Sequence, residues 1–290
     1  MLLLFYVSAV LLAVTQNVTA RTFFNRNSRS DSAVFNGIKS LSALVLFVGY
    51  TLVTGAFGFD RYTLFYGVLY GVCLSLSMCA GYYALSLGKL ALTSTLVSFS
   101  IVIPLIWSVV VYHDSVGLLK ALGFSALVIS MITVSADKMG QRENATSTGY
   151  GKWLFFVFLT FLANGACSVI QLEYTKVRSS GFNSLFMVYV MLVCAVVFVT
   201  VLAIRHTPIH FEKVIGKGYA VLSGVCNALA IFLTLYLAGL DEATVLFPIL
   251  SAGTALASLV CGTFLFKEKL KCNHYVALVF GVTAVILMKL

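Results

Sequence analysis

Charge is scarce in this sequence: Asp, Glu, Lys and Arg make up 10% of its 290 residues, against 60% hydrophobic residues. With a mean hydropathy of +1.01, too few polar side chains remain to cover a soluble globule of this length. The seven cysteines (Cys73, Cys79, Cys167, Cys194, Cys226, Cys261, Cys272) are odd in number, contain no CxxC and have no histidine at ligand spacing. They read as small packing residues, and neither a metal nor a cofactor is expected. The four histidines (His113, His206, His210, His274) are isolated or lie in loops, and HExxH, GxSxG and a Walker-type Gly-rich loop are all missing. Nothing in the sequence therefore points to an enzyme, and an ATP-driven pump would need a partner subunit. No repeated carbonyl filter or ring of charge marks a channel. The net charge of +9 comes from Lys and Arg placed singly in loops, which excludes a nucleic-acid-binding face.

What the sequence has is long apolar runs. Ten windows reach the roughly 20 residues that cross a hydrocarbon core about 30 Å thick: 1–20, 33–55, 63–87, 90–111, 115–136, 151–175, 183–204, 215–240, 243–266 and 271–290. They are continuous and rich in Leu, Ala and Gly, so a membrane barrel of alternating segments is excluded. Val18-Thr19-Ala20 imitates a signal-peptide cleavage site, but no Lys or Arg precedes the run, which is kept as the first spanning helix. The polar stretch Asp137–Gly149 divides the chain near its middle. The expected domains are a first five-helix repeat (1–138), a central loop (139–150) and a second five-helix repeat (151–290).

A shift of 153 residues sets Gly71-Val72-Cys73 on Gly224-Val225-Cys226, Tyr83 on Tyr236 and Ser98 on Ser251, and Phe35-Asn36 echoes Phe182-Asn183 at a slightly different shift. These matches fall in corresponding helices. Five spans per half invert the second copy, so the expected fold is all-α, integral to the membrane, with ten helices in two inverted repeats. The loops after helices 1, 3, 5, 7 and 9, with Lys39 counted among their cations, hold fourteen Lys and Arg against five on the other face. That bias places the central loop in the cytoplasm and both termini outside a plasma membrane. The sequons at Asn17 and Asn144 then carry no glycan, the first being inside a helix and the second on the cytoplasmic side.

Polar side chains sharing a helical face inside a membrane point to a cavity or to an interhelical contact. Helix 6 carries Asn164, Cys167, Ser168 and Gln171, and its counterpart, helix 1, carries Ser8, Thr15, Gln16 and Thr19. Helix 3 adds Ser75, Cys79, Tyr82, Tyr83 and Ser86, and helix 8 adds Ser223, Asn227 and Thr234, of which Asn227 lies nearest mid-span. Helices 4 and 9 contain the two membrane prolines, Pro104 and Pro248, as candidate helix breaks. Beside them lie Ser98, Thr244 and Ser251. The cavity candidates are Gln16, Tyr82, Ser98, Asn164, Ser168, Gln171, Asn227, Thr244 and Ser251, and packing is the competing reading for each. Gly67 and Gly71 form a GxxxG that reads as packing. Of ten acids only Glu173 falls inside a window, either as a coupling carboxylate or in an interfacial pair with Lys176 or Arg178.

Leu92-Thr93-Ser94-Thr95-Leu96 with Pro104, Asn164-Gly165-Ala166-Cys167-Ser168 with Gln171, and Phe247–Gly253 running to Phe266-Lys267-Glu268-Lys269-Leu270 carry a resemblance. The chain resembles the ten-helix drug/metabolite transporter superfamily, in particular its EamA-type members, over nearly its whole length. In the first half, Asp114 stands where the family's closing segment has a glutamate. The resemblance implies two inverted repeats around a central cavity and alternating access. The expected function is secondary transport of a small neutral or zwitterionic solute such as a metabolite, amino acid or drug. The alternatives are a channel or a membrane-embedded receptor or enzyme. The expected partners are the solute and the lipid bilayer, with the protein a monomer or homodimer.

Overall fold

In a computed structural model of the chain, the described residues are 2–26, 32–55, 58–87, 97, 99–113, 117–139, 147–177, 182–205, 218–240 and 243–266, with 276, 279, 280, 283 and 287. Among them all regular structure is helical. The elements are α1 (Leu2–Arg26), α2 (Ser32–Thr54), α3 (Arg61–Leu87), a 3-10 turn (Phe99–Ile101) leading into α4 (Val102–Tyr112), α5 (Leu118–Met139), α6 (Ser147–Val177), α7 (Asn183–Arg205), α8 (Tyr219–Ala238) and α9 (Ala243–Phe266). Val276, Val279, Phe280, Thr283 and Leu287 are also helical, and the rest of the expected tenth span lies outside the described residues.

Among the described residues six helices contain segments long and apolar enough to cross a membrane: Leu2–Ala20, Ala33–Thr54, Arg61–Gly81, Gly151–Val177, Asn183–Ile204 and Tyr219–Ala238. Large apolar side chains are turned outward on many of them, among them Leu3, Val45, Val53, Phe65, Phe155 and Val196. In water that arrangement would aggregate; against lipid it costs nothing. The chain is an α-helical membrane protein. At 31 residues α6 is about 46 Å long, longer than the hydrocarbon core, and its first turn holds Ser147 and Thr148.

Three boundaries differ from expectation. The helix α5 continues to Met139 and α6 starts at Ser147, so both ends of the polar stretch Asp137–Gly149 are helical. Pro104 is only the third residue of α4, behind a 3-10 turn. There its missing N–H falls among first-turn groups that have no intrahelical partner, so it starts a helix rather than loosening one. Pro248 is the sixth residue of α9 and does remove an interior donor. Finally, Lys39, counted above as a loop cation, is the eighth residue of α2 and 5% exposed.

The chain forms two compact units, with the division falling inside α3 and α6. Unit 1 comprises Met1–Met78 and Ile170–Leu240. Within it α8 packs against α1, α2 and α7, and α2 packs against α7. Phe23 and Phe35 stack at 4.6 Å over Val34 and Ala220. Fully buried Tyr174 stacks on Phe186 at 4.4 Å. Two glycines permit the closest approaches. A Cβ on Gly71 of α3 would stand 2.8 Å from Val193 Cβ and 3.0 Å from the Val190 carbonyl of α7. A Cβ on Gly224 of α8 would collide with Ser42 Oγ and the Lys39 carbonyl of α2. Gly67 is seated like Gly71, one turn earlier, on Tyr189, so the GxxxG is a packing motif.

Unit 2 comprises Cys79–Val169 and Asp241–Leu290. There α9 packs on α4 and α5. Gly165 of α6 lies against Ile103 of α4, Gly81 of α3 against Thr160, and Tyr83 stacks on Phe156 at 5.0 Å. Ala84, Trp153 and Val157 form its small buried cluster.

Candidate functional site in unit 1

Most hydroxyls in the spanning helices are satisfied by their own helix. Thr15 Oγ1 donates to the Leu11 carbonyl at 2.8 Å, Thr19 to Thr15 at 2.9 Å, Ser75 to Gly71 at 2.7 Å and Thr234 to Ala230 at 2.8 Å. Ser168 donates to Asn164 at 3.3 Å. A hydroxyl that bonds back four residues needs no cavity, so the polar stripes on α1, α3 and α8 carry less information than their residue types suggest. Side chains that cannot bond back in this way mark the places where helices exchange polar contacts.

The first such layer lies near one end of α8. Gln171 of α6 donates Nε2–H to the Ile231 carbonyl at 3.2 Å, and Thr175 bonds its own helix and approaches the Ala238 carbonyl at 3.4 Å. Asp60 caps α3, accepting from the Thr63 amide at 2.8 Å and its hydroxyl at 2.6 Å, and that hydroxyl meets Tyr174 Oη at 3.4 Å. An aspartate at this position closes the first turn of a helix and complements its dipole. Glu173 is half-buried and sits between Gln171 and Thr175 on α6. This layer is built of amides, hydroxyls and two carboxylates.

The second layer lies at the contact of α2 with α8. Ser42 Oγ donates to the Lys39 carbonyl at 2.9 Å and reaches the Val221 carbonyl at 3.5 Å, joining the two helices beside Gly224. Ser223 is fully buried, and its hydroxyl has no hydrogen-bond partner among the described residues. Asn227, one turn on, is 8% exposed. Lys39 is buried on α2 within electrostatic reach of Cys194 of α7, whose thiol in turn contacts the Gly71 carbonyl at 3.6 Å. A lysine inside a spanning helix is costly unless its charge is met.

Of the expected site residues, unit 1 brings together Gln171 and Asn227: Gln171 bonds the α8 backbone one turn beyond Asn227. Gln16 is also in unit 1, half-buried on α1, and its carbonyl accepts from Thr19 at 2.9 Å. Asn164, Ser168, Ser251, Pro104 and Pro248 belong to unit 2, where Pro104 and Pro248 are buried and the other three half-buried. Tyr82 and Thr244 lie in helices of unit 2 with side chains outside the described residues, and Ser98 lies outside them altogether. Lys39 and Asp60 were not expected, and Ser223 was named on the polar face of its helix but not among the cavity candidates. Lys39 had a signal, since a lysine inside an apolar window cannot leave the membrane with its helix. Ser223 had none beyond its spacing from Asn227.

No protein-family model matches the chain, and no curated protein matches it in sequence. Among solved structures it is similar to one described only as a crystal structure of a protein, with a TM-score of 0.65 and 13% identity, covering 98% of this chain and 94% of that one. At that identity the likeness is one of fold.

Proposed function

We propose that the chain is a secondary transporter of a small neutral or zwitterionic solute, with ten spanning helices in two inverted repeats and an EamA-type relation to the drug/metabolite transporter superfamily. The observation that carries this reading is the pair of glycine seats. Gly71 and Gly224 are set on one another by the repeat shift, and each is seated on a backbone carbonyl of a partner helix, Val190 of α7 and Lys39 of α2. Gly71 of the first expected repeat is seated on α7 of the second, and Gly224 of the second on α2 of the first. The α3–α7 and α8–α2 contacts thus support a duplicated unit of the kind that rocks around a site in alternating access. The amides and hydroxyls of unit 1 suit a solute without strong net charge. The loop cations support a cytoplasmic central loop in a plasma membrane, with cysteine labelling expected to find 140–146 protected in intact cells and the carboxyl terminus accessible.

Counterflow in proteoliposomes tests the function. A carrier exchanges a trapped solute for labelled solute and accumulates the label transiently, whereas a channel only equilibrates. Screening a metabolite library by thermal shift supplies the solute, because a ligand that binds only the folded state raises the melting temperature. Absence of counterflow for every solute that binds would reject the carrier.

A further inference from the structure

We propose that the last two turns of α6, residues 170–177, form a clasp that opens locally while α8 stays packed, and that Asp60 sets how often it opens. All the groups involved belong to unit 1. The segment is gripped on two sides. Gln171 and Thr175 reach the Ile231 and Ala238 carbonyls of α8 at 3.2 and 3.4 Å. Tyr174 meets Thr63 of α3 at 3.4 Å, and its ring stacks on Phe186 of α7 at 4.4 Å. These bonds to neighbouring helices are long, whereas those within one helix or its cap are short: 2.8 Å from Thr175 to the Leu172 carbonyl, and 2.6 and 2.8 Å from Thr63 to Asp60. A hydrogen bond between membrane helices contributes little on average, so the loss of one shifts an opening equilibrium about threefold. Opening costs Thr175 only the longer of its two bonds. Burial of Leu172 and Tyr174 keeps the clasp closed, and the polar bonds set the margin. By contrast α8 is packed along α1 and α2, with Gly224 seated on the α2 backbone.

The part of Asp60 follows from where the protons go. A carboxylate only accepts, so the 2.6 Å bond takes the single hydroxyl proton of Thr63. Thr63 then presents its oxygen as an acceptor, and Tyr174 is the donor in the 3.4 Å contact. The chain of donors runs from Tyr174 through Thr63 to Asp60, from the buried end of α6 to the residue that precedes α3. Without the carboxylate the Thr63 proton has no fixed direction, and Tyr174 loses its acceptor for part of the time. The clasp stands on these contacts alone; its part in a transport cycle rests on the carrier reading above.

The test uses the full chain in detergent, with Leu172→Cys as reporter and N-ethylmaleimide as probe, labelling being followed at each cysteine by peptide mass spectrometry. Leu172 is 2% exposed, so a thiol at that position reacts only when the clasp opens. Native Cys226, buried on α8, is the internal control. Tyr174→Phe removes one oxygen and keeps the ring on Phe186. It should speed labelling at position 172 about threefold and leave Cys226 unchanged. Asp60→Ala and Thr63→Val should give similar gains, and Thr63→Ser, which keeps the hydroxyl, should give none. Asp60→Ala combined with Tyr174→Phe should label no faster than Tyr174→Phe alone, because both cut the same chain. The proposal is overturned if Tyr174→Phe or Asp60→Ala leaves position 172 unchanged, or if their gains multiply. It is also overturned if Cys226 speeds up in step, which marks opening of the whole unit. Should Leu172→Cys itself prevent folding, Ile170→Cys at another buried position of the segment replaces it as reporter. Absence of counterflow would reject the carrier and leave the clasp standing, whereas unchanged labelling would reject the clasp and leave the carrier.

Discussion

Gly71 on α3 and Gly224 on α8 are each seated closely on a neighbouring helix, but the surfaces beneath them differ. Under Gly71 lie Val190 and Val193, the first fully buried and both apolar. Under Gly224 lie Lys39 and Ser42. Close backbone approach between helices in lipid requires only small residues, so both seats satisfy the packing rule equally. Packing has no use for a lysine, and Gly71 is seated on valines alone. The difference between the two seats teaches where to look for function: at the seat where a polar set is kept although an apolar one packs as well.

The comparison breaks most readily at the glycines themselves. Gly224→Ala is expected to destabilise the protein by about 3 kcal/mol, because the new methyl meets a backbone carbonyl that cannot rotate away. Gly71→Ala should cost less, about 1–2 kcal/mol, since its closest contact is with a valine side chain and the Val190 carbonyl is further off. Equal melting temperatures for the two variants would show that the seats are mechanically alike and that Lys39 and Ser42 hold nothing rigid.

The two prolines extend the comparison to kinetics. Pro248 deprives the Thr244 carbonyl of its intrahelical donor, so Pro248→Ala restores a bond and deepens one conformational well. A well deeper by about 1.4 kcal/mol slows exit roughly tenfold, to be read as the initial counterflow rate. Pro104→Ala, at a helix start, should leave the rate within about twofold of the parent by the same conversion of small energies to rates. If both variants slow alike, position within the helix is not what matters.

Smaller effects sharpen the contrast between the two polar layers of unit 1. Asp60→Ala removes the cap of α3 and should lower stability by about 1 kcal/mol, with solute binding unchanged. Gln171→Leu removes one interhelical bond, worth about 0.6 kcal/mol by analogy with measured bonds of this kind, and makes its helix more apolar. Insertion should be unaffected in Gln171→Leu and in Asn227→Leu while transport falls in both. Normal transport in both would assign these amides to helix adhesion alone.

How much was legible in advance varies with the kind of interaction. The apolar windows located the helices because hydrophobic length is a local property, matched to a bilayer about 30 Å thick. The windows missed where helices begin and end near polar residues: Ser147 to Gly149 read as loop and are helical. The hydroxyl stripes are less informative for a related reason, since a threonine such as Thr15 or Thr234 bonds its own backbone, and spacing alone cannot show that. Gln171 stood out in the sequence because an amide in a membrane must reach another helix or water, and it bonds the Ile231 carbonyl of α8.

By itself the sequence determined that this chain lives in a membrane as apolar helices, because that follows from composition and order along the chain. Only the tertiary structure decided what each polar residue meets. It seated Gly224 on Lys39 and Ser42, left the Ser223 hydroxyl buried without a partner among the described residues, and set Asp60 on the first turn of α3. The physical reason is that burial in lipid is a one-dimensional matter of helix length, whereas the cost of a charge depends on every group within a few ångströms of it, whatever its place in the sequence.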